Sequence, residues 1–376
     1  MNTETYVRRV LDEWSTEARV PGGLADRALG RRRTGRRTTR AVLVVAAAVL
    51  LIVAGVTVGV QGGPRPATHP VDTSLRTDPN DAPPKRLVAA GQVALSTYRT
   101  LRVSGKKVVY TWYLYDPASG GYRKVPWAWL AVAPGLRQAA VLDGPLPSAR
   151  VGILDMKTQR VTRWIPLKAA AGGLAWSPDG RRLLVTTYAT DPDAQYHKGT
   201  GARTGFIVVD PRSGEAHFHS LLFNRADPNG RQDLGWSRDG TLIWATTMSF
   251  NPPTRLFYDL NGVRRPAPAH EADSLEEAGI SPNGRLIATH GGASPGLGIA
   301  DTNGRTVSRL PVMQLVAWAD DTHVIAVTCD LAECGGPRTL SHRYVLMSID
   351  GRTSVPLTGY KALGIVNSWD PVFTRR

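Results

Sequence analysis

Two cysteines and eight lysines are scarce among 376 residues, and only one long stretch lacks charge. Two cysteines exclude a disulfide-dense scaffold and any zinc site built on cysteine alone, which needs four ligands. One uncharged run excludes a bundle of membrane spans. Residues 1–40 contain neither His nor Cys, so that segment has no soft metal ligands. Acids are also short, with 31 against 46 basic residues and a net charge of +15. The excess is +5 over residues 1–40 and +10 beyond them, and no basic patch stands out that would mark a nucleic-acid surface.

What is present is a repeat. L-A-W-S-P-D-G-R-R-L-L-V at 174–185 combines an apolar strand ending in Trp176, a Ser-Pro-Asp-Gly turn and a second apolar strand. Pro178 presets the turn, Asp179 bonds nearby backbone, and Gly180 accepts the left-handed conformation. The pattern returns as L-G-W-S-R-D-G-T-L-I-W at 234–244, A-G-I-S-P-N-G-R-L-I-A at 278–288 and V-A-W-A-D-D-T-H-V-I-A at 316–326. A weaker copy begins at Leu130, and G-I-V-N-S-W-D-P-V-F at 364–373 is a sixth. Between them runs a second motif, an apolar strand ending in Asp before a turn: Asp116, Asp155, Asp210, Asp259, Asp301 and Asp350. The alternating pair supplies four short strands, the content of one propeller blade.

These motifs resemble the WD-like repeats of TolB-type six-bladed propellers, over residues 87–373. The resemblance implies an all-β, six-bladed β-propeller whose last blade is completed by both chain ends, which removes free sheet edges. A seventh blade stays open, because residues 87–110 have room for more strands. Trp176 and Trp236 are then expected to fill the packing between neighbouring blades.

Ahead of the repeats, residues 41–60 are uncharged and long enough to span a bilayer as one helix. Arg27, Arg31, Arg32, Arg33, Arg36, Arg37 and Arg40 precede this run, and Arg65 alone follows closely, so the amino end is expected in the cytoplasm and the propeller outside the plasma membrane. Gly55 and Gly59 form a G-x-x-x-G pair that would let two such helices approach as a homodimer. Within 1–40, Val7, Val10, Leu11, Trp14 and Ala18 recur at helical spacing until Pro21, making a short amphipathic helix. Residues 61–84 carry six prolines and read as an extended tether of roughly 70 Å. The expected domains are therefore 1–40 (basic cytoplasmic head), 41–60 (transmembrane helix), 61–84 (linker) and 85–376 (extracytoplasmic propeller). This head is similar to those of actinobacterial single-pass proteins that accompany extracytoplasmic-function sigma factors, but lacks the H-x-x-x-C-x-x-C motif of zinc-binding anti-sigma domains.

Chemistry-bearing residues are few. Cys329 and Cys334, five apart, are expected to form a disulfide pinning a loop; a zinc site using His323 or His342 is the alternative. G-A-S-P-G at 292–296 with His290 matches G-x-S-x-G, but it leads into a strand where a nucleophile elbow needs a helix. Asp227-Pro228-Asn229-Gly230 lacks the spaced acids of a calcium loop. His217 and His219 share one strand face. The longest insertion, 189–203, holds Asp191, Asp193, Tyr196 and His197, and is the expected ligand-contacting loop. No catalytic residue, metal or cofactor is assigned. The leading expectation is a non-catalytic propeller that binds an envelope protein or ligand. One alternative is an anti-sigma-like signalling protein whose head binds a cytoplasmic regulator; another is an enzyme with an axial cluster of acids or His.

Overall fold

The computed structural model of the chain describes residues 73–104, 107–193, 203–222, 231–247, 254–272, 277–289, 297–329, 341–362 and 369–376. It divides into two units, Met1–Ala67 and Thr68–Arg376, and every described residue belongs to the second. The expected head, the 41–60 run with Gly55 and Gly59, and the first part of the linker lie outside the described residues. Among the described residues no helix is long and apolar enough to cross a membrane.

The turn residues build the hairpins as their chemistry requires. Gly180 and Gly240 hold φ of 68° and 70°, and each donates its N–H to the carbonyl of the serine three residues earlier. That serine is the hub. Ser177 Oγ donates to Asp179 and accepts the N–H of Arg182; Ser237 and Ser281 repeat the arrangement with Asp239 and Asn283, and all three serines are fully buried. The flanking strands pair in register, Trp176 opposite Leu183 and Trp236 opposite Ile243. At the other motif, the Asp210, Asp259, Asp301 and Asp350 carboxylates each accept an N–H from two residues on, closing their own turns.

Among the described residues the strands form five antiparallel sheets, giving an all-β, propeller-like fold. The seven-stranded sheet contains two successive four-stranded meanders that share the long strand Arg160–Trp176, its first half pairing with Ser148–Asp155 and its second with Leu183–Tyr188. A three-stranded sheet, Leu286–Thr289 with Leu297–Asp301 and Thr306–Leu310, is extended by an isolated bridge from Ile280 to Ile287. The first sheet joins the two ends of the domain: Val93–Ser104 lies between Lys107–Asp116 and the C-terminal strand Trp369–Arg375. The strands within residues 87–110 are thus part of this closing sheet and build no separate one.

Buried side chains are concentrated where neighbouring sheets face each other. Leu114 of the closing sheet shares one cluster with Leu142 and Leu154, and Ile299 of the three-stranded sheet shares another with Val324 and Val345. Indoles stitch successive meanders together: Trp176 donates to the Ala131 carbonyl at 2.9 Å, Trp236 to Ala175 at 2.9 Å and Trp318 to Gly279 at 3.3 Å. In each case the acceptor immediately precedes the Trp position of the preceding repeat.

Within the expected linker 61–84, residues ahead of Lys85 pair with the sheets. Arg76 pairs with Ala89, and the Asp78 N–H donates to the Leu357 carbonyl at 2.9 Å. The Asp78 carboxylate, buried, accepts the N–H groups of Lys85 and Arg86. Backbone pairing of this kind fixes the proline-rich residues from 73 onward against the domain, where composition alone reads as a free tether.

Candidate functional site

Three meanders begin with a segment that ends at a Ser-x-x-Gly turn, at Ser177, Ser237 and Ser281, so the two ends of these first strands differ. At their starts lies an arginine-centred network. Arg231 reaches the Asp193 carboxylate with Nε and Nη2, both at 2.9 Å, and Asp233 with Nη1 at 2.7 Å. The same Nη1 donates to the Gly172 carbonyl, and the guanidinium carbon sits 3.7 Å from the ring centre of Trp129. Tyr188 donates to Asp233 and accepts the Gln232 N–H. Burial pushes the Tyr188 phenol well above its ordinary range, reinforced by the Asp233 charge. Burial would lower the Arg231 pKa, but Asp233 and Asp193 outweigh it and hold the group protonated. Gly173 permits the approach, since a Cβ there would stand 2.2 Å from the Asp233 carboxylate. Arg99 covers the same Trp129 ring at 5.0 Å and pairs with Asp370. Inner positions from several sheets are therefore tied together by satisfied charges.

The expected ligand loop enters this network. Asp193 is committed to Arg231, and Asp191 accepts the Asp193 N–H at 2.9 Å. Tyr196 and His197 lie outside the described residues, as do Cys334, Asp227 to Gly230, His290 and Ser294; Cys329 ends the strand His323–Cys329. His217 bonds Glu215 on the surface, and His219 stacks on Phe206, so the shared face of these two histidines serves local contacts. His323 bonds Asp320 and Thr322, while His342 is buried beside Tyr344.

At the turn end of the same strands opens a cavity of about 620 Å³. Its wall takes Val93 and Phe373 from the closing sheet, Val316 and Trp318 from the strand Gln314–Trp318, and Pro178, Arg238 and Pro282 from three repeat turns. Glu271, Glu277 and Asp239 bring carboxylates to it, and Arg375 a guanidinium. Asp239 is spent on its turn, accepting from Ser237 and Thr241. Glu271 is different. It is only 7% exposed, and its two oxygens share the single backbone N–H of Arg238, at 3.2 and 3.1 Å. Burial pushes its carboxyl above the usual range, the Arg238 N–H opposes this, and the nearby Asp239 charge adds to it. The preceding residue, His270, holds a left-handed φ of 66°, a conformation that carries strain in a residue with a side chain.

Sequence reasoning missed Glu271 and Glu277. Their signal was present: H-E-A-D-S-L-E-E at 270–277 holds four acids in a strongly basic chain. It was illegible as a site because nothing local shows that this connection turns inward.

No protein-family model matches the chain, and no curated protein matches it in sequence. Among solved structures, the chain is similar to TolB from Acinetobacter baumannii (14% identity, TM-score 0.42, over 75% of this chain and 67% of that one). It is also similar to a putative TolB from Agrobacterium tumefaciens (16% identity, TM-score 0.33, over 74% and 90%). A third, dipeptidyl peptidase 4 from Porphyromonas gingivalis, shares 11% identity at a TM-score of 0.38, over 72% of this chain and 44% of the peptidase.

Proposed function

We propose that this chain is a single-pass plasma-membrane protein that presents a non-catalytic, six-bladed propeller outside the cell and binds an envelope partner or ligand through its axial cavity. The observation that carries the binding role is the cavity of about 620 Å³ on the turn side, a volume within the range of ligand pockets. Counting the seven-stranded sheet as two blades that share one strand supports the number six. The 41–60 run and the arginines before it support the anchor and its orientation. The commitment of Asp239 to its own turn supports binding over catalysis, since it removes one of the cavity's acids from proton transfer.

The test is affinity capture from detergent-solubilised membranes with three baits: the full-length chain, a version lacking residues 1–40, and Ala317→Trp, which places an indole in the cavity. Envelope material retained by the first two and lost with Ala317→Trp is the expected result. Capture of a sigma factor that depends on residues 1–40 would replace this reading with the signalling one. Capture indifferent to Ala317→Trp would remove the cavity from the function.

A further inference from the structure

Glu271 is a buried carboxylate that lines the cavity and forms no ion pair with any described residue. A carboxylate offers about four acceptor positions, and among the described residues they receive one shared N–H. Leaving such a charge buried without a partner is costly, and the cost falls when a cation arrives. Two guanidinium groups, those of Arg238 and Arg255, act on it electrostatically, and neither pairs with it directly. Arg238 donates Nη2 to the Pro282 carbonyl at 2.5 Å, and Arg255 lies over the Trp244 ring at 4.4 Å.

The rest of the wall fits the same visitor. Glu277 and Asp239 add negative charge, against Arg238 and Arg375, the latter reaching Gln92 with Nη2 at 3.4 Å. Trp318 and Phe373 supply aromatic surface, and Val93, Ile280 and Val316 supply aliphatic surface. Carboxylate beside aromatic surface is how a cation on an apolar stem is recognised: the charge meets the acid, and the ring attracts the cation while covering the stem. An anion would meet three carboxylates against two guanidinium groups.

Resting on the binding role proposed above, we propose that the axial cavity takes an organic cation, a protonated amine on an aliphatic stem, with its charge against Glu271 and its stem against Trp318 and Phe373. The amine comes either from a lysine side chain of a partner protein or from a free small molecule.

Calorimetric titration of the full-length chain in detergent tests this with four probes: N-acetyl-lysine methylamide, cadaverine, the neutral N-acetyl-norleucine methylamide and the anionic N-acetyl-glutamate methylamide. The cations should bind at least tenfold more tightly than the other two, Glu271→Gln should erase that preference while the protein still melts cooperatively, and Ala317→Trp should abolish binding. A stronger lysine derivative identifies a protein side chain as the source, a stronger cadaverine a free amine. If norleucine or glutamate probes bind as well as the cations and Ala317→Trp still blocks them, the cation assignment is overturned and the cavity reading survives. If no probe binds and partner capture ignores Ala317→Trp, both fall.

Discussion

The indole N–H of Trp236 donates to the carbonyl of Ala175 at 2.9 Å, joining one sheet to the meander before it. Trp176 does the same to Ala131 in the meander before its own, so the repeat's tryptophan is both a buried side chain and a hydrogen bond between successive meanders. Removing the whole side chain should cost roughly 3 to 5 kcal/mol in Trp176→Ala and Trp236→Ala. Trp→Phe at either position keeps most of the apolar contact and loses the bond, an expected cost of about 1 to 3 kcal/mol. Denaturant unfolding of the full-length chain measures both. Shifts near zero for Trp236→Ala would show that the stitch does not hold the sheets.

Ser177 is the second test of the repeat. Its hydroxyl satisfies the Arg182 N–H and the Asp179 carboxylate inside a fully buried position. Ser177→Ala leaves both without that partner and should cost about 1 to 3 kcal/mol. Gly180→Ala should cost about 1 kcal/mol for conformation alone, because φ is 68° and a Cβ would meet nothing nearer than 3.6 Å. A serine substitution that melts like the parent would contradict the hub role.

Arg231→Ala should destabilise by about 3 to 5 kcal/mol, since it strands two carboxylates against Trp129 and Gly173. A double-mutant cycle with Asp193→Asn should return a coupling energy on the order of 1 kcal/mol or more. Additive effects would mean that Asp193 is not held by Arg231 in solution and is free for the ligand role that its loop position suggests.

Glu271→Gln should raise stability at neutral pH. The folded-state carboxyl titrates above its unfolded value, chiefly through burial, so ionisation disfavours the fold. The penalty is absent at pH below the unfolded carboxylate range and complete above the folded pKa. The variant's advantage in melting temperature should therefore grow as pH rises through that window and vanish in acid. A pH-independent difference would point to packing in place of charge.

A bridge between Cys329 and Cys334 should leave both thiols unreactive to alkylation in native envelopes until a reductant is added, with mass spectrometry as the readout. Labelling of both under denaturing, non-reducing conditions would exclude it. The loop it would close is short, so its contribution belongs at the low end of the few kcal/mol usual for disulfides.

The hairpins were legible in the sequence because turn chemistry is local. Pro178, Asp179 and Gly180 specify their turn from within four residues, and the flanking apolar runs specify the strands. The same holds for Asp210 and Asp301, which bond their own backbone. Repetition of both motifs was enough to give the fold class, and the one uncharged run was enough to motivate an anchor. The partners of these elements were decided only by tertiary structure. Nothing near Arg231 in sequence announces Trp129 or Gly172, and the expected joining of both chain ends says nothing of the register in which Trp369–Arg375 pairs with Val93–Ser104. Asp193 looked available because loops are usually exposed; an arginine 38 residues away claims it. Glu271 carries no motif of its own, and is a buried carboxylate in a cavity only because distant segments close around it. Burial and ion pairing depend on which distant segments share space, and a local pattern carries no record of that.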